Sequence, residues 1–149
     1  QESIDLGAYV DALGKAVLRI KNLAVTFSDS NGGTPDMATT KNAACDFQVT
    51  TQTQSDMVIP GDNRSVVASG RIVANSSQGA GVPSAVSHDL DVTPQHWDNG
   101  YLIGVDTLYL GGKATSTGWS ESIVCSIVME CVSESLTQAA AMALALSQS

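Results

Sequence analysis

Residues 121–136 read ESIVCSIVMECVSESL, apolar at nearly every second position, and residues 137–149, TQAAAMALALSQS, carry no charged side chain. A period of two over that length marks a β-strand, because successive side chains point to opposite faces of a sheet. Ile123, Cys125, Ile127, Met129 and Cys131 share one face, which fits a core. Val124, Ser126, Val128, Glu130, Val132 and Glu134 share the other, a mixture typical of a contact surface or a partly covered sheet. Ser135 with Gln138 three residues on fits a capping box, which predicts a helix starting near Leu136. Leu136, Ala140, Met142, Ala143 and Leu144 spread around more than one side of that helix, and no charge marks a solvent side. A long strand running into such a tail is built to be covered, either by its own domain or by another subunit.

The same periodicity recurs upstream. Ala16–Phe27 reads as a strand whose parity slips between Ile20 and Leu23, so a β-bulge near Lys21-Asn22 is expected. Cys45, Phe47, Val49, Thr51 and Thr53 alternate with Asp46, Gln48, Thr50, Gln52 and Gln54, a half-buried strand with one wet face. Val66–Ala74 supplies another, with Gly70 marking a bulge or a close contact. Val86, His88, Leu90 and Val92 alternate with Ser87, Asp89, Asp91 and Thr93, and Leu102–Leu110 forms a further strand. Ser28–Asp36, Pro60–Asn63 and Asn75–Ser84 carry the Gly, Pro, Asn and Asp content of loops and turns. Ile4–Leu13 fits a short helix or a loose arm.

Many strands with helix only at the ends predict an all-β fold: a single-domain antiparallel β-sandwich, jelly-roll-like. The expected divisions are an N-terminal arm or helix over 1–15, the sandwich over 16–136 and a C-terminal alanine-rich helical tail over 137–149. A chain of 149 residues suits one domain with a real core. Hydrophobic content of 43% argues against disorder, while charged residues at 15% leave Ser, Thr, Asn and Gln to make the surface. That surface suits an extracellular or particle-forming β protein.

The net charge is −8, and the seven basic residues end at Lys113. Phosphate-backbone binding needs clustered Lys and Arg, so no direct nucleic-acid contact is expected. Lys15, Arg19 and Lys21 form one cluster, which a solvated strand face explains. No apolar run of ~20 residues exists to span a membrane. No signal-peptide pattern opens the chain, and the start at Gln1 is compatible with a leader already removed. Cys45, Cys125 and Cys131 contain no CxxC pair. Cys125 and Cys131, six apart in one strand, stand ~20 Å apart and cannot bridge each other. Buried free thiols are expected, with a bridge from Cys45 as the alternative.

Chemistry is thinly written. His88, His96, Asp89, Asp91 and Asp98 have the types that ligate divalent metals. Alternation sets His88 apart from Asp89 and Asp91, however, so a core-edge histidine is the better reading and no metal or cofactor is expected. Asp98-Asn99-Gly100 is a turn. No G-x-S-x-G occurs, and nothing ties a histidine to a serine or cysteine nucleophile. Glu130 and Glu134 stand ~13 Å apart along a strand, too far for a glycosidase pair. Gly32-Gly33 and Gly111-Gly112 read as turn glycines without the context of a phosphate loop. No enzyme activity is expected. Trp97 and Trp119, at loop edges, are candidates for a carbohydrate platform; core packing or loop anchoring is their simpler role.

GVDTLYLGGKATSTGW leading into SIVCSIVMECVSESL resembles the closing hairpin of viral coat proteins of jelly-roll or β-sandwich type, whose final long strand runs out to an arm. The resemblance covers mainly Arg64–Gln138. It implies a virion capsid subunit: many identical copies, loops on an outer surface, and termini making lateral or inward contacts with copies of itself or with other virion or surface proteins. The assembly interface would then draw on Val124, Val128, Val132, Leu136, Met142, Leu144 and Leu146. The missing basic arm departs from coats that bind a genome directly. An extracellular filament or tail subunit and a cell-surface carbohydrate-binding module are the alternatives.

Overall fold

The computed structural model describes residues 1–149 except 12, 14, 39–40, 77–84 and 94–96, and describes 85–93 by backbone alone. Its strands are β1 (Glu2–Asp5), β2 (Ala16–Ser28), β3 (Asn42–Thr50), β4 (Val66–Asn75), β5 (Ala85–Thr93), β6 (Tyr101–Ile103), β7 (Thr107–Ala114) and β8 (Val124–Ser135), followed by the helix α1 (Gln138–Gln148). They form two antiparallel sheets, one ordered β1-β7-β3-β4-β5 and the other β6-β2-β8. The chain is an all-β, single-domain sandwich. Phe27 of the smaller sheet meets Phe47 of the larger edge-on at 6.2 Å between ring centroids, and Ile20, Val49, Ile103 and Leu108 complete the buried centre around them.

β2 and β8 form the longest ladder, Ala16↔Ser135 to Ser28↔Val124, with a register shift between Ile20 and Asn22. That shift is the bulge expected at Lys21-Asn22. It keeps Leu18, Ile20, Leu23, Val25 and Phe27 turned toward the core although their sequence parity changes. Gly70 likewise sits where β4 slips against β5 between Ser69 and Arg71.

Four expectations need correction. The described residues of Ile4–Leu13 form neither a helix nor a loose arm. Glu2–Asp5 pairs with β7, and the Gly7 N–H donating to Asp5 Oδ1 at 2.8 Å turns the chain so that Leu6 and Val10 enter the core. The strand expected over Leu102–Leu110 is two strands in different sheets, because the chain crosses the sandwich between Ile103 and Thr107. Gly111 and Gly112 are not turn residues: they lie within β7, opposite Gln48 and Phe47. Consequently β7 and β8 form no hairpin, and their connection passes from one sheet to the other. It is pressed so close to β3 that a Cβ on Gly118 would stand 2.3 Å from the Asn42 carbonyl oxygen.

The fourth correction concerns β3. It ends at Thr50 rather than Gln54, and beyond Asp46 its polar face is not wet. Gln48 is only 5% exposed, because residues 51–65 fold over it. Its side-chain amide mimics a β-ladder partner, donating to the Val58 carbonyl and accepting from the Val58 N–H at 3.0 Å. Thr50 is buried beside it, its hydroxyl donating to the Gln52 carbonyl at 2.7 Å.

Candidate assembly surface

β8 hydrogen-bonds through its ladder to β2 alone among the described residues and ends the smaller sheet. Its inward side chains, Cys125, Ile127, Met129 and Cys131, pack on the core with Ile123. Its outward side chains have no such cover. Val128 is 72% exposed, with Val124 at 40% and Val132 at 41% flanking it along one row. In register beside them on β2 stand Ala24 opposite Val128 and Thr26 opposite Ser126, both exposed. Three β-branched apolar side chains on one strand face suit a packed sheet surface, since they fill the pleat and lose little rotamer freedom.

One end of this face is electrostatically pinned. Glu134 accepts from Arg19 Nε at 2.7 Å, and Arg19 also donates to the Asn99 carbonyl at 2.7 Å. The hydrogen bond from Arg19 holds the Glu134 carboxyl below its ordinary value. Arg19 of the expected basic cluster is therefore neutralised by a strand neighbour. Leu136 follows β8, half-buried, with its N–H donating to the Lys15 carbonyl at 2.9 Å.

The tail divides into two faces. Thr137, not Ser135, caps α1, its hydroxyl accepting from the Ala140 N–H at 3.2 Å. Ala141, Leu144, Ala145 and Gln148 form the docked stripe at helical spacing. Gln148 is buried and clamps the helix to β6, donating to the Leu102 carbonyl and accepting from the Gly104 N–H, both at 2.7 Å. A Cβ on Gly104 would come within 2.8 Å of Leu144 Cγ, so glycine there permits the close approach. The tail thus folds back onto its own domain. Met142 and Leu146, 43% and 74% exposed, remain on the far side. Of the expected contact residues, Leu144 is used within the chain, and Val124, Val128, Val132, Met142 and Leu146 are bare.

The other candidates do not gather into a site. Trp119 donates its indole N–H to the Ala44 carbonyl at 3.1 Å and packs against Met37, Ala43 and Ala74, so it anchors the crossover. Trp97 is half-buried against Tyr101, with ring centroids 5.6 Å apart. His88, Asp89 and Asp91 belong to β5, where only the backbone is described, and His96 lies outside the described residues. Asp98 and Asn99 form the expected turn before Gly100. The three thiols are free. Burial pushes Cys125 up to about 12 and Cys45 up to about 11, so both are poor nucleophiles at neutral pH. Among the described residues, no helix is long and apolar enough to cross a membrane.

Sequence reasoning found the valine row, since alternation alone places it. It missed Ala24 as the row's neighbour and Gln148 as the clamp. The one available signal for the clamp was a polar residue at the helical spacing of Ala141 and Leu144. Comparison of the chain with protein-family models, curated proteins and solved structures finds no match.

Proposed function

We propose that this protein is a structural subunit that assembles with copies of itself, of the kind that forms a virion coat. The observation that carries this reading is the row Val124, Val128 and Val132, bare on a long strand at a sheet edge. Soluble proteins ordinarily blunt such an edge with Lys, Pro, a bulge or a covering loop. Val124–Ser135 contains no Lys, Pro or Gly, its one bulge lies on the partner strand, and of its two charges, Glu130 and Glu134, the second is paired with Arg19. Apolar side chains aligned in this way gain free energy when another surface removes them from water, at ~25 cal/mol per Å². Met142 and Leu146 on the free side of α1 offer a second contact of the same character, as a shell subunit with several neighbours requires.

A carbohydrate-binding role draws less support, because Trp119 commits its indole N–H to the backbone of β3. The virion location and the jelly-roll form of the sandwich belong to this proposal. Light scattering of the purified native protein, with negative-stain imaging, tests it. Particles or filaments are the expected result. A species of 15.4 kDa at every concentration would overturn the reading.

A further inference from the structure

The outward row of β8 is close to a palindrome about Val128. Reading outward in both directions, Val128 is followed by Ile127 and Met129, Ser126 and Glu130, Cys125 and Cys131, then Val124 and Val132. A strand paired antiparallel with its own copy about a twofold axis matches residues at equal distances from that axis. Placed at Val128, the axis sets Val128 on Val128, Val124 on Val132 and Ser126 on Glu130 along the whole of Val124–Val132. Inward, Cys125 meets Cys131 and Ile127 meets Met129. Every apolar side chain then faces an apolar one, and each Glu130 faces a hydroxyl, with the two carboxylates ~13 Å apart along the strand.

Neighbouring registers fail. An axis at Ile127 or Met129 sets valines against Ser or Glu. At Glu130 it stacks the two carboxylates, and like charges directly opposite are destabilising. An axis at Ser126 pairs only Val124–Val128 of the strand. We therefore propose that β8 of one molecule pairs with β8 of a second about a twofold axis at Val128, joining their three-stranded sheets into one continuous sheet. The occupant of the free edge is a second copy of this chain. This inference rests on the self-assembly reading and names its first contact.

Single cysteines read the register directly. In a chain carrying Cys125→Ala and Cys131→Ala, Val128→Cys brings the new thiol onto its own copy at the axis. Diamide, which accepts the two hydrogens lost when the thiols join, should then give a disulfide-linked dimer on a non-reducing gel. Ser126→Cys in the same background leaves its thiols ~13 Å apart, beyond disulfide reach, and should yield roughly tenfold less bridged dimer. Mixing Ser126→Cys with Glu130→Cys chains should restore bridging. Equal bridging by Val128→Cys and Ser126→Cys would overturn the register. Particles seen by light scattering without any bridging at position 128 would overturn this pairing while the assembly reading stands. A monomer in both measurements removes both.

Discussion

β3 and β8 both present alternating strands with one face in the core, and their outer faces have opposite fates. The outer face of β3 is polar, Asp46, Gln48 and Thr50, yet Gln48 and Thr50 are buried beneath residues 51–65. The outer face of β8 carries Val124, Val128 and Val132, and it is bare. If side-chain polarity alone decided cover, the assignments would be reversed. Cover follows backbone hydrogen bonding instead. A loop laid over a sheet brings its own N–H and C=O groups, which need partners once water is gone, and Gln48 supplies both for Val58. A valine face offers a loop no such partner. It does suit another regular sheet or strand, whose backbone groups are already paired or become paired along the edge.

The largest effect expected from this contrast follows Val128→Lys. At the proposed axis two ammonium groups would meet, and like-charge juxtaposition costs several kcal/mol, or about two decades or more in association constant. Because Val128 is 72% exposed, the fold itself should be unaffected, with a melting temperature close to wild type. Analytical ultracentrifugation over a concentration series measures the first quantity, and circular dichroism the second. Unchanged association would remove Val128 from any interface.

Gln48→Ala tests the other side. It should leave association intact and cost about 2 kcal/mol of folding stability, because the Val58 N–H and carbonyl lose their partner under a covering loop. Urea titration reads this as a lower midpoint. A change under 0.5 kcal/mol, the ~±0.5 kcal/mol range of ordinary surface substitutions, would mean that water replaces the amide and that the loop is not a sealed cover. The two variants should therefore separate cleanly, one losing partners and the other losing stability.

The same contrast explains what the sequence could and could not disclose. The existence of the longer strands and the bulge at Lys21 were legible because they are local: the parity slip between Ile20 and Leu23 is written in the polarity of adjacent residues. β1, too short to show a period, was not legible. The burial of Gln48 was not, since it depends on a loop that begins beyond the strand. The break of 102–110 into β6 and β7 was hidden because Leu102, Ile103 and Val105 keep an apolar run through the crossing. Gly111-Gly112 looked like a turn because glycine is rare inside strands. Its place beside the covering loop, where Gln48, Met57 and both glycines line one small cleft, supplies the reason. The edge position of β8 was illegible in principle, because strand order is set by distant partners. The valine row itself was read correctly, and only its setting came from the fold.

α1 lies between the two extremes, with one face docked and one bare. Gln148→Ala removes two hydrogen bonds at 2.7 Å, one to Leu102 of β6 and one from Gly104 just after it, and leaves the Gly104 N–H without its acceptor. A loss of about 1–2 kcal/mol is expected, confined to the tail. Hydrogen exchange should show faster exchange across Gln138–Gln148 while β3 and β4 keep their protection. Uniform loss of protection would instead make the clamp part of the cooperative core.

The smallest effect concerns the pinned end of β8. Arg19 holds the Glu134 carboxyl below its ordinary value of 4.5, so the folded state binds that proton less readily than the unfolded chain. The resulting stabilisation is complete above pH 4.5 and is lost as pH falls through the lowered folded value. Glu134→Gln keeps a neutral acceptor for Arg19 and removes the titration. The variant should melt slightly below wild type near pH 6, and the difference should close as pH is lowered below 4.5 and through the lowered folded value. The pair is solvent-screened, so added salt should narrow the gap at pH 6 as well. A gap that persists at low pH would mean that Glu134 acts through packing rather than charge. The outer face of β8 would then be held in place by shape along its whole length, with no ion pair fixing the end nearest α1.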